Sequence, residues 1–480
     1  MKLNKKLALA VASAVLSISS SAFAAVDFMN DDAPFKTDFN LAGHNGDMQL
    51  YGIIDIGYGY TDHGLPTNNA LPNNFYPFAK QKIAYSSSQS DWFSGGLQQS
   101  RVGLKGGVNL FEVADTKIKF IYQLETGFNA LNGELINAAK TLAQNGGGTA
   151  QNNSTISADS SVNGQFFNRQ AYAGFDMGKA GKATFGLQYN PFYTITGDFD
   201  PLHKADTFSP IGQSGTYGGG GGVSENSRMA NSFKYANELE ALGGKFNGGV
   251  MYQVGNATGD WNSPGYGWTT QLGYSNKSLW DFGIQVAYDR FADSLAAGTS
   301  TQNGNIALSL YNTDAFVMAL QAKPVEDLKL SGGWEWFTRK GASNWQEMKT
   351  NYTTVWGYSL LKADGSIGVS DGNPGKQQEQ DFFWAGFSWD VGHRIPMLKD
   401  LEFDLAYYDT LTHKSERNDG FINDGSQGRI GTYSALLDYK INKRFDVYGA
   451  FTQNHFTGPA YGGVYNTDQY LVGTGVRMKF

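Results

Sequence analysis

Hydrophobic and polar residues alternate along many segments of this chain. In residues 48–60, for example, Leu50 and Ile54 share one parity, whereas Gln49 and Asp55 lie on the other. A period of two is typical of β-strands that have one apolar and one polar face. We therefore predict an all-β protein. About sixteen segments show this alternation, near residues 48–60, 98–106, 116–128, 167–177, 181–190, 228–237, 245–254, 266–275, 279–291, 314–323, 328–340, 379–391, 399–412, 428–441, 443–455 and 470–480.

The connections between these segments alternate in length. Short turns lie at every second junction, for example at residues 178–181 and 441–443. Long polar stretches fill the other junctions, at residues 61–97, 129–166, 191–227, 292–313, 341–378 and 413–427. Short turns at one end and long loops at the other predict an antiparallel up-and-down barrel of about 16 strands.

Strands of this kind fit either a water-soluble β-fold or a membrane barrel. The apolar parity faces inward in the first case and faces lipid in the second. The membrane is favoured because the segments are about 10–13 residues long, as a tilted crossing requires, and because their charges fall on the polar parity. Aromatic residues also lie near segment ends, as a girdle at the lipid boundary requires. They are Tyr58, Tyr60, Trp334, Trp336, Trp384 and Trp389.

The N-terminus has the pattern of a secretory signal peptide. Three lysines precede an apolar core at residues 7–15, which is too short to span a membrane, and residues 22–24 form a small-x-small cleavage site. We expect residues 1–24 to be a signal peptide and residues 25–480 to form a single outer-membrane β-barrel domain.

The composition argues against other classes of protein. The chain has no Cys, which excludes disulfide scaffolds, Cys-ligated zinc and thiol catalysis. Its formal net charge of −7 gives no electrostatic reason to expect nucleic-acid binding. All 6 His residues fall in predicted loops or turns without a second His at metal-ligand spacing. Because no catalytic motif occurs either, we expect no enzymatic activity, no cofactor and no metal.

Several motifs, in their order and spacing, resemble strands of the Gram-negative general diffusion porins, and the β-proteobacterial and neisserial branch most of all. The resemblance covers nearly the whole chain after residue 24, and it implies a sixteen-stranded trimeric barrel whose third loop folds into the lumen. It also implies that the barrel-assembly machinery recognises the C-terminal strand. The motifs are SRVGLKG at 100–106, QLETGFN at 123–129, NRQAYAGF at 168–175, GLQYNP at 186–191, NSFKY at 231–235 and the terminal Phe480.

In that family, basic residues on the barrel wall face acidic residues on the third loop. The resemblance assigns the basic wall to Arg101, Arg169 and Arg228. Lys105 shares the polar parity with Arg101, and Lys234 shares it with Arg228, which supports a position in the lumen for these four residues. The parity of Arg169 carries alanines, so the alternation alone leaves a pore wall and a subunit interface equally open there.

The opposing acids are expected on the third loop, at about residues 191–227. This stretch contains Asp198, Asp200 and Asp206. The family often has an Arg in the fifth strand, where this chain has Gly186, Leu187 and Gln188. One wall charge is therefore absent from the expected set, which argues against strong anion selectivity.

The resemblance implies an outer-membrane porin, a passive water-filled channel for small hydrophilic solutes and ions. Its expected partners are two further copies of the chain in a homotrimer, outer-membrane lipid and the barrel-assembly machinery. A substrate-specific channel for a sugar or an organic acid is the main alternative, because Phe382, Trp384 and Tyr408 lie on the lumen parity. An outer-membrane enzyme or an adhesin built on a barrel is a weaker alternative.

Overall fold

The computed structural model describes most of the strands and part of the loops. The described residues are 35–41, 43–62, 89–113, 116–133, 166–214, 228–254, 266–292, 311–341, 354–355, 358–359, 377–413, 428–457 and 468–480. The predicted signal peptide lies outside them. Within these ranges, none of the helices is long and apolar enough to cross a membrane.

Alternation of apolar and polar residues produces long antiparallel strands. The strands are β1 Lys36–Leu41, β2 His44–Asp62, β3 Gln89–Ser94, β4 Arg101–Val113, β5 Thr116–Gly127, β6 Gln170–Asp176, β7 Lys182–Tyr189, β8 Arg228–Ala241, β9 Gly244–Gln253, β10 Tyr266–Asn276, β11 Phe282–Ala292, β12 Tyr311–Val325, β13 Leu328–Gly341, β14 Thr354–Val355, β15 Tyr358–Ser359, β16 Gln377–Asp390, β17 Leu401–Thr412, β18 Gly428–Lys440, β19 Phe445–Thr457 and β20 Asp468–Lys479. The helices are α1 Pro191–Asp198, α2 Pro210–Ser214 and α3 Val391–Arg394, with 3₁₀ turns at Gly178–Ala180 and Pro396–Leu398.

Sixteen of these strands form a closed antiparallel barrel within the described ranges, as predicted. Each strand pairs with its neighbour along the chain, and β20 pairs with β2 to close the sheet, for example Ile56 with Val476. Closure leaves no open edge, which is the condition for a sheet that crosses hydrocarbon. The two-residue strands β14 and β15 form a separate hairpin.

Two short strands add to the barrel and were not predicted. β1 pairs with the first half of β2, on the side where β20 pairs with its second half. β3 and β4 share the other side of β2 and are separated by residues 95–100, which we call the 95–100 bulge. The predictions of a loop over 61–97 and of a strand from residue 98 were therefore wrong, because β3 lies within the first and the bulge occupies the start of the second.

The distribution of exposed side chains is the reverse of that in a soluble protein. Large apolar residues on the outer parity are open, including Tyr58 (45% exposed), Leu272 (67%) and Phe383 (45%). Charged residues on the other parity are buried inside the barrel, including Glu335 and Asp289 at 0%. A contiguous exposed apolar band of this kind is stable only against lipid.

Three predictions about individual aromatic and histidine residues were wrong. Trp384 lies on the inner parity and is 3% exposed, so it is not part of a lipid-facing girdle. His44 begins β2 and His455 lies within β19, although both were expected in loops or turns. β2 extends beyond its predicted limit, because backbone pairing with β1 continues past the last clearly alternating residue. His455 is the last residue of the predicted segment 443–455, and β19 continues past it to Thr457 through its pairing with β18.

Candidate functional site

The first part of the expected third loop is a structured segment, residues 191–214, which we call the inner segment. It begins with α1, whose N-terminus is capped by Asn190: the Asn190 Oδ1 accepts the Phe192 N–H at 2.8 Å. The Asn190 Nδ2 also donates to Asp289 Oδ2 on β11 at 3.0 Å. A helix cap therefore also fixes the inner segment to the barrel wall. Residues 215–227 of the expected loop lie outside the described residues.

Apolar side chains anchor the inner segment against the polar parity of the strands. Phe192, Leu202 and Phe208 are 0% exposed. The Phe208 ring makes edge-to-face contacts with Phe93 of β3 and Tyr448 of β19, at centroid distances of 6.1 and 6.5 Å. The inner segment is thus packed on side chains from distant parts of the closed sheet, since α1 contacts β10–β12.

Asp200 organises the middle of the inner segment. Its carboxylate is 0% exposed and accepts the backbone N–H groups of Leu202 at 3.2 Å and Lys204 at 2.9 Å. It also accepts the hydroxyls of Ser209 at 2.6 Å and of Tyr408 on β17. Burial raises the pKa of Asp200, although these hydrogen bonds act to lower it. Asp200 therefore stabilises the fold of the inner segment and links it to Tyr408 of β17.

Asp55 of β2 holds the 95–100 bulge. One carboxylate oxygen accepts the N–H groups of Leu97 and Gln98, both at 2.8 Å. The other accepts the Gly96 N–H at 3.1 Å and the Tyr448 hydroxyl at 2.6 Å. One buried carboxylate thus satisfies three backbone donors of an irregular segment, which would otherwise be unpaired.

The 95–100 bulge in turn binds the inner segment. The Asp206 N–H donates to Leu97 O at 3.2 Å, and the Thr207 N–H donates to Gly96 O at 3.0 Å. The Thr207 hydroxyl donates to Gly95 O at 2.8 Å. These bonds place Asp206 beside the bulge, and the bulge leads directly into the start of β4.

Arg169 is at the centre of the predicted basic wall. It is 5% exposed, and its Nε donates to Glu125 Oε1 at 2.7 Å. Its terminal nitrogens donate to Gln99 Oε1 and to the Tyr189 hydroxyl. Glu125 Oε2 also accepts a hydrogen bond from the Tyr51 hydroxyl, with the two oxygens 2.9 Å apart. A buried charge needs a partner of opposite sign, and Glu125 provides it.

Three of the other predicted basic residues lie around the same partners. Arg228 is 2% exposed, donates to the Tyr189 hydroxyl at 3.1 Å and stacks 4.7 Å from the centroid of that ring. Lys234 Nζ donates to Tyr189 O at 2.9 Å. Arg101 Nε lies 3.5 Å from Glu125 Oε2. Tyr189 of β7 and Glu125 of β5 thus bring basic residues from β4, from β8 and from the start of β6 into one cluster, which we call the basic cluster.

Lys105 lies further along β4, apart from the basic cluster. Its side chain is exposed, and Nζ is 5.1 Å from the centroid of the Tyr51 ring. Tyr51 bonds to Glu125, so Lys105 is one residue removed from the cluster itself.

The structure shows why the alternation left Arg169 undecided. β6 begins at Gln170, and the residues that follow on the parity of Arg169 include Phe175, which is exposed on the outer face. Arg169 precedes the strand, so the alternation of side chains along β6 does not fix the direction of its side chain. The side chain points to Glu125 inside the barrel. Parity applies only where the backbone is extended and paired.

A β-bulge at Gly186 also shapes the basic cluster. Gly186 has φ +128°, and the register between β7 and β8 shifts between Gly186 and Gln188. This φ favours glycine. In addition, a Cβ at this position would lie 2.2 Å from Ala171 O of the neighbouring strand. Where the resembling family often has Arg, the Gln188 amide instead donates to Ser232 Oγ at 3.2 Å.

The three predicted acids occupy three different environments. Asp206 is half-buried, and burial raises its pKa to about 7, although the charges of Arg169 and Arg101 act to lower it. Asp198 is exposed to the cavity, and partial desolvation beside the strands raises its pKa, against the charges of Lys204 and Lys329. Asp206 thus faces the basic cluster, whereas Asp198 faces β13 and Asp200 is bonded as described above.

A cavity of about 430 Å³ lies between the inner segment and the strands β9–β13. Its lining includes Asp198, His203, Asn247, Gln285 and Lys329. The lining is polar, as the passage of water and hydrophilic solutes requires.

The lumen-parity aromatics do not form an open surface. Phe382 and Tyr408 stack with an interplanar angle of 8°, and both are at most 1% exposed. The Trp384 Nε1–H donates to Phe199 O of the inner segment at 3.0 Å. These rings support the inner segment and are covered by it.

Sequence reasoning missed Glu125, Tyr189 and Asp55 as members of the site. Glu125 and Asp55 both lie on the polar parity of their segments, which is a usable signal, but the sequence prediction places the acids of the site on the third loop alone. Tyr189 could not have been found, since its position depends on the bulge at Gly186.

Comparisons with known proteins point to one family. A family model described as Gram-negative porin matches residues 8–459. An outer membrane porin protein of Bordetella pertussis is 29% identical over 168 residues, which are 34% of this chain and 34% of that protein. The alignment therefore spans about a third of the length of this curated relative.

Solved structures share the fold. An anion-selective porin from Comamonas acidovorans has a TM-score of 0.54 at 18% identity, with 91% of this chain and 100% of that chain covered. The outer membrane channel DcaP of Acinetobacter baumannii has a TM-score of 0.52 at 12% identity, with 92% and 99% covered. At these identities the similarity establishes the barrel architecture.

Proposed function

Because the chain belongs to the Gram-negative porin family and is an outer-membrane β-barrel, we propose that it forms a passive, water-filled channel for small hydrophilic solutes and ions. The reversed polarity supports this proposal: exposed apolar residues match lipid, and the polar parity lines the interior. Passive diffusion through such a pore needs no catalytic residue and no conformational cycle.

In this proposal the inner segment is the constriction, folded into the lumen. Its hydrogen bonds to β17 through Tyr408, to β16 through Trp384 and to the 95–100 bulge support this position, because a segment outside the barrel could not reach all three. Solutes would pass along the polar cavity between the inner segment and β9–β13.

The basic cluster and Asp206 would create a transverse field at the constriction. Arg101 and Arg169 pair with the wall acid Glu125, and Arg228 lies against Tyr189 beside them, so basic side chains of the wall face Asp206. Fixed charges at the narrowest point of a pore decide its ion preference. This arrangement of Arg101, Arg169 and Arg228 beside Asp206 is the observation that carries the proposal, and it favours a mild preference for anions.

Planar-bilayer recording of the purified protein tests the proposal. We expect ohmic steps, and in a KCl gradient the reversal potential of Arg101→Ala should move toward cations, because one positive charge leaves the wall. Lys182→Ala is a matched control, since Lys182 is 61% exposed and pairs with Asp176 at the short-turn end of the barrel. An unchanged potential in Arg101→Ala would place Arg101 outside the conducting path.

The substrate-specific alternative loses its main support. It relied on Phe382, Trp384 and Tyr408 as an aromatic track, and the inner segment covers all three rings. Current block by one sugar or organic acid that saturates with concentration would nevertheless favour this alternative over free diffusion.

We also propose a homotrimer whose C-terminal strand is recognised during assembly. OmpT of Vibrio cholerae, which has a TM-score of 0.51 at 12% identity, has been solved in a trimer form. Phe480 supports the second point: its backbone N–H and C=O both bond to Gly52, and its ring meets Phe35 edge-on at 6.1 Å. Chemical cross-linking of the detergent-solubilised protein should give a ladder that ends at three chains.

A further inference from the structure

Three potential metal ligands meet where the inner segment contacts β17. They are His203 of the inner segment and Glu402 and Asp404 on the inner parity of β17. His203 Nε2 lies 2.9 Å from Glu402 Oε1 and 3.8 Å from Asp404 Oδ2. Ligands of one zinc ion lie about 2.0–2.2 Å from it and hence within about 4.4 Å of each other. These two separations already satisfy that limit.

Asp404 provides an independent indication that something is bound here. Its side chain is 0% exposed, and among the described residues neither carboxylate oxygen has a hydrogen-bond partner. Ser388 is close enough to influence it, but the Ser388 hydroxyl hydrogen is donated to Pro201 O at 3.0 Å. Buried carboxylates are expected to be paired or to bind a cation. Asp404 is directed at His203, which is 48% exposed and lines the polar cavity.

We propose that His203, Glu402 and Asp404 bind a divalent first-row transition-metal ion, such as Zn²⁺, which enters from the cavity. One imidazole nitrogen and two carboxylate oxygens suit such an ion, whereas Mg²⁺ prefers oxygen ligands alone. The ion would leave one or more coordination positions to water on the cavity side. This inference does not depend on the transport proposal.

Neighbouring charges set how tightly the ion is held. Lys440 Nζ bonds to Glu402 Oε2 at 2.7 Å, which leaves Oε1 directed at His203. Lys329 also acts on this group, and both lysines oppose a cation. Asp438 acts on Asp404 from the next strand and favours a cation. The balance predicts reversible binding that responds to free metal.

A bound ion would fasten the constriction to the wall. His203 and the next residue have φ +52° and +60°, a left-handed conformation that is costly for residues with a side chain. At present the imidazole Nε2 has two hydrogen-bond partners, Glu402 Oε1 at 2.9 Å and Ser388 Oγ at 3.3 Å. Coordination would replace these contacts with a link between the inner segment and two residues of β17, and it would place a positive charge beside the cavity.

The experiment measures zinc bound to the purified full chain in detergent. Protein treated with EDTA is equilibrated with ZnCl₂, freed of unbound metal by gel filtration and analysed for zinc by mass spectrometry. We expect about one zinc ion per chain, no comparable uptake of Mg²⁺, and affinity at least about tenfold lower in His203→Gln and in Asp404→Asn. His455→Gln is the matched control, because His455 also pairs with a carboxylate, Asp468 at 2.9 Å.

The variants distinguish metal binding from the alternatives. Full zinc uptake by both His203→Gln and Asp404→Asn would overturn the proposal. Absence of zinc from the wild-type chain would also overturn it and would mean that the buried Asp404 carboxylate is protonated or hydrated instead. Equal binding of Mg²⁺ and Zn²⁺ would also overturn it, because it would indicate general attraction to acids. Should Asp404→Asn fail to fold, His203→Gln still decides, since His203 is half-exposed and holds no strand.

Discussion

Asp55→Asn is expected to destabilise the barrel and to loosen its constriction. The Asp55 carboxylate accepts four hydrogen bonds, three of them from backbone N–H groups of the 95–100 bulge. An asparagine side chain has one acceptor oxygen, and its amide group would face two of the four donors. At about 1–3 kcal/mol for each buried donor left unpaired, the expected loss in free energy of unfolding is about 2–6 kcal/mol.

Asp55→Asn should also alter the single-channel current. The bulge holds the inner segment by three hydrogen bonds through Asp206 and Thr207, so disorder in the bulge reaches the constriction. We expect urea unfolding, followed by tryptophan fluorescence, to give a lower midpoint, and single channels to show greater open-state noise. Tyr448→Phe removes only one of the four donors and should cost about 1–3 kcal/mol, at the lower end of the range expected for Asp55→Asn.

Asp47→Asn is the matched control for this prediction. Asp47 lies on the same strand, and its carboxylate is 36% exposed and 3.8 Å from Lys119 Nζ. An exposed pair of this kind contributes about 0–1 kcal/mol. Equal stability and equal noise in Asp55→Asn and Asp47→Asn would refute the role assigned to the buried carboxylate.

Three further predictions concern the pore and the barrel closure. Since the pKa of Asp206 is raised to about 7, its negative charge is present above that pH and lost below it. Lowering the pH from 8 to 6 should therefore move the reversal potential of the wild type toward anions. A similar pH response in Asp206→Asn would contradict this prediction. Tyr408→Phe removes one of the donors to Asp200 and should destabilise the protein by about 1–3 kcal/mol, with noisier channels in bilayer recordings. In Gly52→Ala the new Cβ would lie 2.3 Å from the Phe480 ring, so we expect less folded protein by heat-modifiable gel mobility. Gly283→Ala is the control, because its Cβ would lie at an ordinary contact distance of 3.4 Å from Gln321 Cγ.

The fold was predictable because every second residue of a barrel strand faces lipid, and the residues between them face the interior of the barrel. Lipid outside and water inside impose opposite demands on the two faces, so each strand such as β11 or β18 contains the signal locally. β1 and β3 were missed because they are 6 residues each and show little alternation. Short strands depend on pairing with β2 more than on their own sequence.

The basic side of the candidate site was also predictable in outline. Arg101, Arg228 and Lys234 lie in strands whose polar parity faces inward, and the motifs of the resembling family selected them. The positions of the acids were not predictable, because Asp198, Asp200 and Asp206 lie in the inner segment, where no strand periodicity applies. Packing of its apolar residues decides which acid turns toward the arginines and which is bonded to β17.

The sequence by itself determined the barrel, the side of each strand that meets lipid and the supply of charges for the interior. These properties follow from local periodicity, which every strand carries independently of the others. The tertiary structure alone decided that Glu125 and Tyr189 gather the arginines, that Asp55 holds the bulge, and that His203 meets Asp404. Those contacts join residues far apart in the chain, and they form only when closure and the packing of the inner segment bring distant strands within reach of one another.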